Sequence, residues 1–95
     1  MPHLIGIDGL AAGTMFALSA PIVTLGRDPE SDIALMDQAV SPRHARLVTS
    51  EAGQVRVQDE GSAGGIFVND ARVSQAVLAP GDLLQIGDSV FRFEA

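Results

Sequence analysis

The chain has 95 residues, 46% hydrophobic and 19% charged, with a formal net charge of −6. This length fits one domain with a single core, spanning residues 1–95, and the composition is too apolar for a disordered segment. The negative charge argues against binding to nucleic acid or to an anionic membrane surface, because both attract clustered positive charge.

Cysteine is absent, and the two histidines, His3 and His44, lie far apart in the chain. The sequence therefore has no disulfide framework and no thiolate, and we expect neither a metal nor a cofactor. Residues 10–20 end in small residues, as before a signal-peptide cleavage site, but Asp8 precedes them and Gly13 interrupts them. We interpret this segment as a turn and a strand of a cytoplasmic, monomeric domain.

Short segments of alternating apolar and polar residues follow one another along the chain. In order they are LIGID, TMFAL, PIVTLG, HARLVTS, QVRVQD, IFVN, ARVS, DLLQIG and SVFRFE. Glycine, proline, asparagine, aspartate or serine follows each segment, which is typical of β-strands joined by tight turns. Residues 32–35 are predicted to form a further short strand within the loop region 28–42.

Turn residues separate these strands. EAG at 51–53 is predicted to close a hairpin, Asn69 and Asp70 can adopt the positive φ angles of a two-residue turn, and PGD at 80–82 forms another turn. No window shows helical spacing with caps. The sequence therefore predicts an all-β fold, a sandwich of two antiparallel sheets with about 10–11 short strands and little or no helix.

Ten apolar residues on these segments are predicted to form the core, and burial of each contributes about 1.5–3 kcal/mol. They are Leu25, Ile33, Leu35, Leu47, Val55, Val57, Phe67, Leu84, Ile86 and Phe93.

Three loops carry the residues that suggest chemistry. Arg27 follows a strand directly after Gly26, a position from which a guanidinium can bind an anion, although its spacing also fits a pairing with Asp28 or Glu30. Ser41 could donate to an anion or cap a local turn. His44, at the start of a strand, is typical of a buried orienting group, and GSAGG at 61–65 could expose backbone amides or form a flexible turn.

Taken together, these segments resemble a forkhead-associated (FHA) domain, a phosphothreonine-binding β-sandwich. LGRDPESDIAL resembles the opening of the family, VSPRHARL its Ser-x-x-His element, QDEGSAGGIFVNDARV its Gly-Ser-Thr-Asn-Gly-Thr-Phe-Val-Asn stretch, and LAPGDLLQIGDSVFRFE its closing strands. The resemblance implies that Arg27 clamps a phosphate, Ser41 also bonds it and His44 braces the loops. The phosphopeptide-binding residues it implies are Arg27, Ser41, Pro42, Arg43, Ala63, Gly64 and Gly65, with Gly26, His44 and Asn69 as structural support.

The chain departs from the family at two places. Ala63, Gly64 and Gly65 stand where the family usually has Thr-Asn-Gly, so the asparagine that grips the backbone of the bound peptide is missing. Pro42 follows Ser41 where the family often has arginine or asparagine. Two lost neutral hydrogen bonds weaken binding about tenfold to a hundredfold, whereas the retained bonds to a charged phosphate are each stronger.

The resemblance implies a bacterial signalling module that binds a phosphothreonine-containing protein, or a phosphorylated segment of its own parent chain, and is not an enzyme. The alternative is a degenerate FHA domain that acts as a phosphate-independent, structural or oligomerisation module, which the departures favour. A hydrolase using Ser41, His44 and Asp59 is a third alternative, but the spacing gives no clear triad geometry.

Overall fold

A computed structural model describes all residues, 1–95, and contains eleven strands and no helix. The strands are β1 (His3–Asp8), β2 (Met15–Ala17), β3 (Ile22–Gly26), β4 (Ile33–Ala34), β5 (Ala45–Thr49), β6 (Val55–Asp59), β7 (Ile66–Val68), β8 (Ala71–Val73), β9 (Gln75–Val77), β10 (Leu83–Ile86) and β11 (Ser89–Glu94). No helix in the structure could therefore cross a membrane.

The strands form two sheets that face each other. One sheet has the order β2-β1-β11-β10-β7-β8, and the other has the order β4-β3-β5-β6-β9. This confirms the predicted β-sandwich. All pairs are antiparallel except β3 and β4, which run parallel because the loop between them folds back beside β3. There the Asp32 carboxylate accepts hydrogen bonds from the Thr24 amide and hydroxyl, at 2.9 and 3.2 Å.

The core lies between the sheets. Every predicted core residue is buried except Phe67, for which the prediction was wrong. In β7 it is Ile66 that faces inward, whereas Phe67 pairs with Gln85 and Arg72 on the outward face and is only half-buried. Phe91 is completely buried, and its ring packs edge to face with the ring of Phe16, with 6.0 Å between ring centroids.

The predicted turns are confirmed. Asn69 and Asp70 have φ angles of 50° and 69° between β7 and β8, as a two-residue hairpin turn requires. The strand β9 was not predicted, because its three residues carry no clear alternation, yet it pairs with β6 at the sheet edge. In the register of the second sheet, Leu25 pairs with Ala45 and Ala45 with Asp59, so β3 and β6 end where β5 begins.

Candidate functional site

Three loops meet at this end of the sandwich, namely residues 27–32, 35–44 and 60–65. The Arg27 amide donates to the Ser41 carbonyl at 3.0 Å, and the Asp28 amide donates to the Pro42 carbonyl at 3.1 Å. The Ala63 amide donates to the Ser41 hydroxyl oxygen at 3.1 Å. The strand ends fix the loops, and these bonds join the first and third loops to Ser41.

Gly26 permits the close contact between the end of β3 and Pro42. Its φ lies outside the left-handed region, so the backbone conformation does not itself require glycine here. A Cβ at this position would instead overlap the Pro42 carbonyl oxygen and lie 2.9 Å from the carbonyl carbon. The missing side chain therefore lets loop 35–44 approach the end of β3.

The Arg27 side chain is exposed and forms neither an ion pair nor a hydrogen bond within the protein. The pairing with Asp28 or Glu30 that the sequence allowed is not formed. The Asp28 carboxylate instead accepts the Glu30 amide at 3.0 Å. Arg27, whose backbone is bonded to Ser41, thus carries a guanidinium with all its donors free in a domain whose net charge is negative.

His44 is completely buried and joins two of the loops. Its Nδ1 accepts the Ser41 amide at 3.0 Å, so the ring proton is assigned to Nε2, which donates to the Gly65 carbonyl oxygen at 2.7 Å. Both ring nitrogens bond backbone atoms, so the ring is not available as a base toward the Ser41 hydroxyl. The Asp59 carboxylate bonds the Ser62 amide, so no Ser-His-Asp triad forms.

The glycine-rich loop 60–65 is held from within. The Ser62 hydroxyl oxygen accepts the Gly65 amide at 2.8 Å, and Gly65 adopts a φ of 77°. Amides of Ser62, Ala63 and Gly65 are therefore already bonded, which argues against an anion cradle made of loop amides. Gly64 is exposed, and a Cβ there would come no closer than 3.7 Å to the Ala39 carbonyl oxygen.

The remaining predicted site residues lie in different parts of the structure. Pro42 and Arg43 are exposed beside Ser41, and Arg43 lines a cleft of about 310 Å³ together with Asp28, Glu30 and Glu60. Asn69 is not brought to this group. It lies beyond the other end of β7, where it bonds the Asp82 carboxylate and the Leu83 amide, each at 2.9 Å.

The sequence analysis did not identify some residues that contact these loops. One of them is Arg72, whose side chain lies against Gly65. Asp37 is another, since backbone amides bond both of its carboxylate oxygens. The Ala39 amide, and after it the Asp88 amide, hold the pKa of the Asp37 carboxyl below its ordinary value of 3.8, while a small loss of solvation acts in the opposite direction. No three His, Asp or Glu side chains lie close enough together to hold a metal ion.

The lowered pKa of Asp37 predicts an acid dependence of stability. The ionised carboxylate stabilises the fold above pH 3.8, and this contribution is lost as the pH falls through the folded-state pKa. We expect the difference in unfolding free energy between the wild type and Asp37→Asn to shrink below pH 3.8, as measured by chemical denaturation at a series of pH values. A difference that grows on acidification would contradict this assignment.

Comparison with known proteins shows which family has this arrangement of strands and loops. The family model for the cytoplasmic domain of the inner-membrane component of type III secretion systems matches residues 7–95. A solved structure from a study of phosphothreonine-dependent FHA domain interactions superimposes with a TM-score of 0.90 at 28% identity, covering 99% of this chain and 95% of the other. The chain belongs to the FHA domain family.

Two regulators are similar in sequence to this FHA domain. The glycogen accumulation regulator GarA of Mycolicibacterium smegmatis is 48% identical over 79 residues, which cover 83% of this chain and 49% of GarA. The oxoglutarate dehydrogenase inhibitor of Corynebacterium efficiens is 47% identical over 79 residues, covering 83% of this chain and 55% of the inhibitor. The chain thus spans about half the length of these relatives.

Proposed function

We propose that this FHA domain is a phosphothreonine-dependent interaction module whose phosphate site is formed by Arg27 and Ser41. The observation that carries the proposal is the hydrogen bond from the Arg27 amide to the Ser41 carbonyl, which brings the backbone of a residue with an unpaired guanidinium next to the backbone of a residue with a hydroxyl. The Ser41 hydroxyl oxygen accepts the Ala63 amide, so its hydrogen is free to donate to a phosphate oxygen. Arg27 supplies the charged, two-pronged contact that phosphate favours.

Other residues of the loops form the rim of this proposed site, and all of them are exposed except Gly65, which is buried. Arg43 adds a second cation beside the phosphate, and Pro42, Ala63, Gly64 and Gly65 line the path of the peptide. His44 supports the rim by joining Ser41 to Gly65. We assign Gly26 to the same support, since it admits the Pro42 carbonyl.

The comparisons support binding rather than catalysis as the activity. The similar proteins are named as a regulator and an inhibitor, and the superimposed structure comes from work on phosphothreonine-dependent interactions. We propose that this chain likewise binds a phosphorylated protein or segment, as a cytoplasmic monomer without enzymatic activity. Its partner is defined here only by its chemistry, a phosphothreonine in an accessible stretch of chain.

Calorimetric titration with a phosphothreonine peptide, its unphosphorylated form and a phosphoserine form tests the proposal. We expect binding of the first, none of the second at the same concentrations, and binding of the third about fourfold weaker, because phosphoserine lacks a methyl group whose burial is worth about 0.8 kcal/mol. Equal binding of the first two peptides would support the phosphate-independent alternative instead.

Gly64→Asn is expected to strengthen peptide binding about tenfold to a hundredfold. The change restores the asparagine that the family uses to grip the peptide backbone, and two neutral hydrogen bonds account for this range. Gly64 has no positive φ and open space around its Cα, so the fold should accept the side chain. Gly64→Ala is the matched control, and the same titration measures both. An equal gain for both variants would show that loop stiffening, and not the amide, is responsible.

A further inference from the structure

The Asp37 carboxylate joins two turns at the loop end of the sandwich. Its Oδ1 accepts the Ala39 amide at 2.9 Å, and its backbone carbonyl accepts the Val40 amide at 2.9 Å, which closes the turn 37–40. Its Oδ2 accepts the Asp88 amide at 3.1 Å, across 51 positions of the chain. Asp88 belongs to the turn between β10 and β11, so one side chain links this turn to the loop that carries Ser41.

The packing of these two turns depends on Gly87. This residue has a φ of 59°, and a Cβ on it would lie 2.7 Å from the Val40 Cγ2 and 3.1 Å from the Asp37 Oδ2. Val40 is buried, with 1% of its surface exposed. The turns are therefore in direct contact, and the absent side chain of Gly87 is what allows the carboxylate and Val40 to settle there.

Ser41 directly follows this anchored turn. On its other side the Ser41 amide donates to His44 Nδ1, and its hydroxyl oxygen accepts the Ala63 amide. The His44 contact and the Asp37 contact thus hold the serine from opposite directions along the chain. The Ser41 carbonyl also accepts the Arg27 amide, so release of the Asp37 contact would remove only the hydrogen-bonded anchor that precedes Ser41 in the chain.

We propose that Asp37 is a positioning residue for Ser41, because its carboxylate fixes the turn 37–40 against the turn between β10 and β11 and thereby holds the hydroxyl where phosphate binds. This inference rests on the proposed function. Asp37 does not itself touch the phosphate in this arrangement. It acts through the backbone that leads into Ser41.

The direction in which Asp37→Asn changes phosphopeptide affinity separates positioning from simple electrostatics. Asp37 carries a negative charge in a loop that receives a dianion, so on charge alone Asp37→Asn should tighten phosphopeptide binding. Positioning predicts the reverse, because an asparagine oxygen can accept from Ala39 or from Asp88 but its NH₂ group cannot accept from the other. We expect Asp37→Asn to bind about fivefold to tenfold more weakly.

Two further variants complete the experiment. Asp70→Asn removes the same charge from an exposed residue in the turn between β7 and β8, and it should bind as the wild type does. Gly87→Ala leaves the charge unchanged but separates the turns, and it should weaken binding like Asp37→Asn. Each variant is titrated calorimetrically with the phosphothreonine peptide and its unphosphorylated form, at a temperature where circular dichroism shows it to be folded.

A double-mutant cycle with Ser41→Ala supplies a readout that general destabilisation would not move. If Asp37 acts through Ser41, Asp37→Asn should have no further effect on affinity in the Ser41→Ala protein. The inference is overturned, and the proposed function left standing, if Asp37→Asn binds as tightly as the wild type or more tightly. The same holds if Asp37→Asn lowers the affinity of the Ser41→Ala protein as much as it lowers that of the wild type. A wild type that binds both peptides equally overturns the proposed function, and the inference with it.

Discussion

Arg27→Ala is expected to lower the affinity for a phosphothreonine peptide by about a hundredfold or more. The guanidinium can make two hydrogen bonds to one phosphate, and bonds to charged groups are worth about 1.5–3 kcal/mol each. Loss of both corresponds to at least about 3 kcal/mol, which is more than two factors of ten in the dissociation constant. Calorimetric titration of the wild type and the variant with the same peptide measures this difference.

The stability of the Arg27→Ala protein should be unchanged, since the side chain is exposed and has no partner within the protein. Arg92→Ala is the matched control. It removes an equal charge from an exposed residue in β11, where the guanidinium bonds Glu94 at 2.9 Å. Arg27→Lys should recover only part of the affinity, because an ammonium keeps the charge but lacks the planar pair of donors. If Arg27→Ala binds within about threefold of the wild type, Arg27 is not the phosphate clamp.

Gly26→Ala is expected to destabilise the fold by about 3 kcal/mol and to disrupt the site with it. The added Cβ would overlap the Pro42 carbonyl oxygen, which belongs to the backbone and cannot move alone. Relief of the overlap requires loop 35–44 to move away from β3, and the bonds from Arg27 to Ser41 and from Asp28 to Pro42 would then break. Overpacking costs about 1–3 kcal/mol, and each lost bond adds about 0.5–1.5 kcal/mol.

Thermal and denaturant unfolding measure this loss, and the same glycine-to-alanine change elsewhere supplies the control. Gly64→Ala places a methyl group in open space at an ordinary φ, so its stability should stay within about 1 kcal/mol of the wild type. The two variants differ only in what the added carbon meets. Equal stabilities for the two would show that the close approach at Gly26 is not needed.

Much of the fold could be predicted because alternation reports which side of a strand faces the core. QVRVQD places Val55 and Val57 on one face, and both are buried in β6. The same reasoning failed at IFVN, where three consecutive apolar residues leave the register open. Only pairing with β8 and β10 turns Ile66 inward and Phe67 outward.

The grouping of the candidate site residues could be predicted in part, because they belong to a recognisable spacing. Arg27, Ser41 and His44 were selected in this way, and the structure brings their backbones together at one end of the sandwich. Asp37 was missed. Its bond to the Ala39 amide is a common pattern of aspartate in turns. Its bond to the Asp88 amide joins positions 51 residues apart, and no local sequence pattern indicates that the two residues meet.

Titration of the ¹⁵N-labelled domain with a phosphothreonine peptide, followed by amide NMR spectra, tests the central assignment most directly. We expect the largest phosphate-dependent shifts at Arg27, Ser41 and Ala63, because the Arg27 amide bonds the Ser41 carbonyl and the Ala63 amide bonds the Ser41 hydroxyl oxygen, and none at the turn of Asn69 and Asp70. The unphosphorylated peptide should leave all of these signals unmoved. Shifts centred on another face of the sandwich, or equal shifts with both peptides, would contradict a phosphate site between Arg27 and Ser41.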